Sequence, residues 1–427
     1  DCTAPYSSGG PNPTPSMVSP DPSGPVRLLI GKDITTEDWF RTADSQLRTR
    51  RVELRPTSTA TMASDLAAAL GDDEDRPDLV LDDAASPLPV ARLATGLDDL
   101  PDLPADLPSH LRPEAWAGSR IQGPAGRPAR RVALPATWLV HGLWFSRSLF
   151  ARHGWQPPTT WPELLALGRQ GREQGLQLLC WGQDHATDYL DLVVASAAKQ
   201  AGPEPLRAID QLTVGCWSHP ALQSALHQLD EALTAGLVRP GGAQRTWKQA
   251  IGAFSQDQEV LMVAADARTM ALARTTEEFQ LDLVPCPSLT ATPTMGAAAL
   301  QTSPADAFIL PSGSTNPAGA RQALLAAFSA EAARAHCAET QLPSTRTDAL
   351  PARPSRLLER QDELLRAAGR RQVTWRALDH YGIRGDHQLL WNAFLSRRID
   401  VATLTAEMQR ITDALAEDPS LARLSNL

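Results

Sequence analysis

The chain has 427 residues, 42% of them apolar, and carries a formal net charge of −9. That length exceeds what one compact core serves and suits two domains or two lobes with large apolar interiors. The acidic balance excludes nucleic acid, whose binding needs clustered positive charge, and excludes an anionic membrane surface as the main partner.

Cys2 heads a tail, CTAPYSSGGPNPTPSMVSPDPSGP, whose Ser, Pro, Gly and Thr cannot pack a core. A cysteine at the head of such a tether is expected of a lipid-anchored exported protein, the alternative being an unpaired thiol on a disordered end. Beyond it, VRLLI at 26–30 predicts a first strand. Thr35 with Asp38 predicts a capping-box-like start to a helix reaching about Arg48. VELRP at 52–56 reads as a second strand, and 61–70 as an Ala/Leu helix stopped by Gly71. DLVLDD at 78–83 reads as a third strand ending in two carboxylates. Strands alternating with helices imply a parallel sheet whose ligands sit beyond the strands' carboxyl ends, where Lys32, Asp33, Thr57, Asp82 and Asp83 lie.

Residues 84–131 are rich in Pro, Asp and Leu and predict irregular structure with short helices. ALPATWLVHGLWFS at 133–146 reads as an extended crossing segment, followed by two helices, the second with Thr160 as N-cap and Glu163 completing a capping box. QLLCWGQDH at 177–185 is a strand entering a loop. No apolar run approaches the ~20 residues that span a bilayer, and LVVASAA at 192–198 reads as a short core segment. At 219–236, Leu222, Leu226, Leu229 and Leu233 share one helical face that Gly236 closes. EVLMVAA at 259–265 and LDLVPCP at 281–287 are apolar strands. The stretch 307–329 gives a strand, a turn, and a helix with Asn316 as cap and Pro317 at its first position. Residues 355–416 are helical, with Leu404, Met408, Ile411 and Leu415 striping the last helix.

Catalytic patterns are missing from the sequence: no GxSxG, HExxH, Walker loop or GxGxxG occurs, and the nine histidines lack metal spacing. A glycosidase needs two carboxylates about 5–10 Å apart, and nothing in the sequence points to a pair. No catalytic residue, metal or cofactor is therefore expected. Cys180, Cys216, Cys286 and Cys337 could form up to two disulfides in an oxidising compartment or stay buried thiols; the sequence does not pair them.

Three stretches carry a family likeness. HGLWFSRSLFARHGWQPPTTWPELLALG, VPCPSLTATPTMGAAALQTSPADAFILPSGSTNPAGARQALLAAFS and VTWRALDHYGIRGDHQLLWNAFLSRRIDVATLTAEMQRITDAL follow in order. Together they resemble the extracellular carbohydrate-binding proteins of bacterial ABC importers with the maltose-binding-protein-like fold. Within that family the likeness is greatest to actinobacterial binding proteins for N-acetylglucosamine and chitobiose. The resemblance implies an α/β, two-lobed clamshell of the type II periplasmic-binding-protein class with a helical C-terminal tail. One lobe would comprise 25–135 plus 296–345, the other 139–292 plus 346–427, with 1–24 as the lipoprotein tether and crossings near 135–138 and 292–297. It also implies a monomer on the outer face of the cytoplasmic membrane, held by its lipid alone, that passes a mono- or oligosaccharide to a permease. The alternative is a protein of the same fold for a non-sugar or charged ligand, or a sensor. One departure bears on the ligand: where the family often has Gly-x-Trp with a sugar-stacking indole, this chain has Ala265, Asp266 and Ala267.

A sugar asks for planar hydrogen-bonding groups and a flat apolar plate. The chain holds 11 Trp against 3 Tyr and 8 Phe, so indoles are the expected plates. Trp138, after the first crossing, is a stacking plate or hinge packing. Trp181, Gln183, Asp184 and His185 form a candidate cleft group, although His185 alone would be an ordinary loop histidine. Asp266 and Arg268 stand where the family approaches its ligand, or form a self-contained ion pair. Asp33, and one of Asp82 and Asp83, should face the cleft, since strand side chains alternate. Gln301 lies beside the return crossing. By resemblance, Trp375 and Tyr381 occupy tail positions that reach the cleft. Trp144, Trp155, Trp161, Trp217, Trp247 and Trp391 are expected to pack.

Overall fold

The computed structural model describes residues 24–31, 39, 41–42, 52–57, 62–71, 76–82, 90–117, 120–122, 128–273 and 275–424. Cys2, the tether, Asp33, Asp83 and most of the helix expected after Thr35 lie outside the described residues.

Among the described residues twelve strands are present: β1 (Val26–Gly31), β2 (Val52–Thr57), β3 (Leu79–Asp82), β4 (Arg120–Gln122), β5 (Arg130–Arg131), β6 (Ala133–Ser146), β7 (Gln177–Leu179), β8 (Val260–Asp266), β9 (Leu281–Val284), β10 (Leu300–Ile309), β11 (Gln372–Val373) and β12 (Arg423–Leu424). The main path runs β2-β1-β3-β10-β6-β8-β7, with β9 on β6 and β11 on β10. β1 pairs in parallel with β2 and β3, as the alternating sequence pattern requires.

β6 explains how two lobes share one ladder. Its first half pairs antiparallel with β10, from Ala133 opposite Ile309 to Val140 opposite Thr302. Its second half, His141 to Phe145, pairs with Asp266 to Met262 of β8. The same residues also meet β9, Leu143 opposite Val284. All fourteen residues of β6 are buried, so it reads as an almost unbroken apolar run. Gly142 is needed there, because a Cβ would collide with the Val284 carbonyl.

The return crossing begins at Leu300, seven residues before the strand expected from sequence. QTSPAD has weak strand propensity, but pairing with β6 overrides it. Pro304 sits opposite Trp138, whose N–H is donated to Pro343 O at 2.8 Å on the other edge. That pair exchanges no ladder bonds, so the missing proline N–H costs nothing. A third crossing accompanies the other two: Thr137 bridges Ser344, and Thr345 N donates to Ala136 O at 2.9 Å.

Local signals position the remaining helices. Thr160 and Glu163 form the capping box of the helix Trp161–Glu173. Asn316 accepts from Gly319 N at the head of Pro317–Ala327. Leu222, Leu226, Leu229 and Leu233 are the buried stripe of Pro220–Thr234. Helices additional to the sequence reading include Asp188–Ala201, nearly all buried, Trp247–Ser255 and Ala330–Thr340. Residues 421–424 return to the first part of the chain, where β12 joins β4 and β5 in a separate three-stranded sheet and Ala422 N donates to Ala91 O at 3.1 Å. These residues therefore touch segments that the sequence assigns to the opposite lobe. Cys180, Cys216, Cys286 and Cys337 are all buried and free. Among the described residues no helix is long and apolar enough to cross a membrane.

Candidate functional site

A cleft opens where β6 passes from one sheet region to the other. It contains a cavity of about 250 Å³ bounded by β6, the Asp188–Ala201 helix start, the end of β8, β10 and the 375–384 segment. A smaller extension of about 70 Å³ reaches Asp82 at the carboxyl end of β3. This is the side of a parallel sheet where ligands are expected.

Residues far apart in sequence meet here through one carboxylate. Asp191 Oδ1 accepts from Trp375 Nε1 at 2.8 Å and from Gln301 Nε2 at 2.7 Å. The Trp375 indole, 6% exposed, is thereby held in the wall shared by the cavity and its extension. Gln301, on β10, is 1% exposed, and its Oε1 has no hydrogen-bond partner. Arg376 Nη1 likewise has none. Its backbone N–H and that of Ala377 instead donate to Asp210 Oδ1 at 2.8 and 2.9 Å, fixing the turn that carries it. Burial pushes Asp210 up to about 7 in spite of those two donors. Arg384 clamps Asp379 with two bonds, Nε to Oδ1 at 2.8 Å and Nη2 to Oδ2 at 3.0 Å.

A second group lies opposite. His185 Nδ1 is 3.4 Å from Asp188 Oδ2. Burial opposes a charge on the imidazole, but Asp188, Asp184 and Asp266 outweigh it and raise its pKa to about 9. Burial raises the Asp188 carboxyl, with His185 pulling the other way. Asp266 is also penalised by burial, yet His141, the Thr269 N–H, Arg268 and His185 hold it below the usual carboxylate range. Thr269 N donates to Asp266 Oδ1 at 2.8 Å, and His141 Nε2 is 2.7 Å from Ser303 Oγ across the β6–β10 pair. The arrangement can hold hydroxyl, amide or ammonium groups from several directions. Among the described residues no group of three His, Cys, Asp or Glu side chains could hold a metal ion.

Residues 50–334 match the family of bacterial extracellular solute-binding proteins. The chain belongs to that family. Among curated extracellular solute-binding relatives, the diacetylchitobiose-binding protein NgcE of Streptomyces coelicolor is 33% identical over 298 residues, 69% of this chain. The chain covers 63% of that relative's own length, less than two thirds. Solved structures share the fold. The bacterial solute receptor AcbH, reported to prefer β-D-galactopyranose, superposes with a TM-score of 0.72 at 18% identity over 92% of this chain and 98% of its own. The GacH receptor of Streptomyces glaucescens, solved with acarbose, gives 0.70 at 16% identity over 92% and 99%. A chitin oligosaccharide binding protein gives 0.68 at 14% identity over 88% and 93%. The two-lobed, maltose-binding-protein-like clamshell is thus the fold of this solute-binding protein.

Of the residues singled out by sequence, the fold gathers Asp82, Asp184, His185, Asp266, Gln301 and Trp375 around the cleft. Asp184 has a second duty, since its Oδ1 accepts from Trp247 N at the head of Trp247–Ser255. The others are placed elsewhere. Trp138 is buried in the hinge with Nε1 donating to Gln372 Oε1 at 2.8 Å. Trp181 packs on Gly242, where a Cβ would strike its ring. Gln183 is an exposed residue whose carbonyl accepts from Asn392 Nδ2. Arg268 turns to Asp306 at 2.7 Å, behind the hinge. Tyr381 is buried, its hydroxyl donating to Asp210 O at 2.8 Å. Sequence reasoning missed His141, Asp188, Asp191, Arg376, Asp379 and Arg384. Asp188 and Asp191 carried a usable signal: three apart before an apolar helical run, they share one face of its first turn.

Proposed function

We propose that this protein is the ligand-capturing subunit of an ABC-type importer and that it binds a mono- or oligosaccharide in the cleft, an N-acetylated amino sugar foremost. The observation that carries this is the pairing of one indole plate, Trp375, with two unsatisfied polar atoms, the Gln301 Oε1 acceptor and the Arg376 Nη1 donor. A buried polar group without a partner costs about 1–3 kcal/mol, so a ligand supplying both partners recovers that cost. An acetamido group does so, its N–H suiting the amide oxygen and its C=O the guanidinium, while the sugar's C–H face suits the indole. The 33% identity to a diacetylchitobiose-binding protein supports the same class. The protein acts by closure: the ligand contacts both lobes only in the closed form and so shifts the hinge equilibrium. The closed form then docks on a membrane permease, the protein being a monomer held at the outer face by a lipid on Cys2. The lobes proposed are 25–135 plus 296–345 and 139–292 plus 346–427, with the chain's end lying back against the first. It catalyses nothing.

Calorimetric titration with a panel of mono- and oligosaccharides that includes N-acetylglucosamine and chitobiose is the test, with small-angle scattering before and after. Micromolar or tighter binding with a fall in radius of gyration is expected. A panel without a binder refutes the sugar reading. The charged alternative draws on a specific feature, since Asp82, Asp184, Asp188, Asp191, Asp266 and Asp379 line one cleft beside a single indole. Binding of a cationic amino sugar in preference to its N-acetyl form would favour it.

A further inference from the structure

The hinge has a second cavity, of about 470 Å³, distinct from the cleft. Trp144 of β6 lines it, whereas Leu139 and His141, of opposite parity on the same strand, line the cleft. On β10 the division repeats, with Asp306 in this rear wall and Gln301 and Ser303 in front. Residues 267–273 close it from the β8 side, and residues 339–342 with Gln361 from the segments after β10.

The wall carries three oxygens with no hydrogen-bond partner: Asp306 Oδ1, Glu339 Oε2 and Gln361 Oε1. Asp306 and Gln361 are 0% and 2% exposed. Each such acceptor is costly if left dry, and all three ask for a donor. Arg268 occupies the other Asp306 oxygen, Oδ2, at 2.7 Å, and His336 approaches it at 3.4 Å. Arg268 thus balances Asp306, and Glu339 remains as the net charge of the wall. Thr275, Thr340, Gln341 and Ser355 also line it, and its apolar part includes Met270, Leu342, Leu357 and the Trp144 ring, whose N–H is already given to Ala265 O at 2.9 Å.

We propose that this rear cavity is a second ligand site that takes a small organic monocation, an aliphatic amine. Its ammonium satisfies the three oxygens, and its hydrocarbon lies on Trp144, Met270, Leu342 and Leu357. The site's chemistry does not depend on which ligand the cleft takes. Its two sides belong to segments on either side of the hinge, so an occupant that touches both biases the hinge angle, and its affinity and that of the cleft ligand are linked reciprocally.

The test titrates the full chain with n-butylamine, with n-butanol as the neutral isostere, followed by calorimetry. Saturable one-site binding of the amine and none of the alcohol is expected. Glu339→Gln and Gln361→Leu should each weaken the amine at least tenfold, while Arg376→Gln in the cleft leaves it unchanged. Absence of saturable amine binding, equal binding of the alcohol, indifference to Glu339→Gln, or loss through Arg376→Gln each overturns the proposal. Glu339→Gln is isosteric on a partly exposed helix end and decides the matter if Gln361→Leu does not fold.

Discussion

His185 gives a quantitative handle on the cleft. Its imidazole is a third exposed, 3.4 Å from Asp188 Oδ2, and its pKa is raised to about 9 because the surrounding carboxylates outweigh the burial that would lower it. In the unfolded chain it titrates near 6.5. Between these values the native state holds one more proton than the unfolded state, so stability falls as pH rises through the window. The contribution is complete below about 6.5 and gone above about 9. At about 1.4 kcal/mol per pH unit the span gives about 3 kcal/mol, which solvent screening at a one-third-exposed ring reduces to about 1–2 kcal/mol. Asp210, raised to about 7, and Lys199, lowered to about 8 by burial, also have unequal folded and unfolded protonation near this window. The measurement is therefore a comparison: urea unfolding of the parent and His185→Gln at pH 6 and pH 9.5, in which those two groups cancel. The gap between the proteins should shrink by about 1–2 kcal/mol from the lower to the higher pH. Imidazole resonances give a direct reading, protonated at pH 8 in the parent and neutral in Asp188→Asn. A gap that is the same at both pH values, or a His185 already neutral at pH 8 in the parent, refutes the electrostatic account of the cleft.

Trp375→Ala should weaken the cleft ligand by about 30-fold or more, as loss of a central indole does, while Trp375→Phe keeps the plate and loses only the bond to Asp191, so calorimetry should place it between the two. Gly142→Ala forces a Cβ onto the Val284 carbonyl and should cost about 1–3 kcal/mol, read as a lower melting temperature. Thr160→Ala removes the capping-box hydroxyl and should cost about 1 kcal/mol with no change in ligand affinity. Burial raises the Cys180, Cys216 and Cys286 thiols to about 12 and Cys337 to about 11. All four should resist a thiol reagent until the chain unfolds, and a reductant should leave the melting temperature unchanged.

Elements governed by local rules were legible from sequence. The strands at 26–31, 52–57 and 79–82 with the helix at 62–70, the Thr160 and Asn316 caps, and the Leu222–Leu233 stripe each follow from spacing within a dozen residues, and the structure keeps them. What resisted reading was set by long-range pairing. β10 begins at Leu300 and runs through QTSPAD only because β6 lies beside it, and Asp188–Ala201 lacks a clean polar face because it is packed on nearly all sides. The site divides the same way. Asp82 could be placed from the end of its strand, and Trp375 from the family resemblance. Asp191 could not, because its role is to join Trp375 and Gln301, residues 184 and 110 positions away. Trp138 stayed open between the two readings and Trp181 misled, because an indole suits a buried site as well as a sugar face.

The hinge itself invites one more perturbation. β6 passes through it with an unbroken ladder, handing over from β10 to β8 between Val140 and His141, so closure must be taken up by strand twist and not by a loose linker. Asp306 is at the centre. It is fully buried and has a left-handed backbone, φ 52°. Burial opposes its charge, but Arg268, His336 and Thr137 more than compensate and hold it far below the usual carboxylate range. These partners come from after β8, from the helix Ala330–Thr340 and from β6, so one carboxylate ties three segments together. Asp306→Asn tests this cleanly, because asparagine also tolerates the left-handed region and only the charge is lost. Breaking such a buried pair from one side costs about 3–5 kcal/mol, or a melting temperature lower by roughly 3–6 °C for a chain of this size. Since the folded pKa is depressed, the parent should lose the same increment only as pH falls below about 3.8, and the variant should show no such loss. A variant that melts within a degree of the parent at pH 7 would mean that the three crossings hold the hinge without this charge.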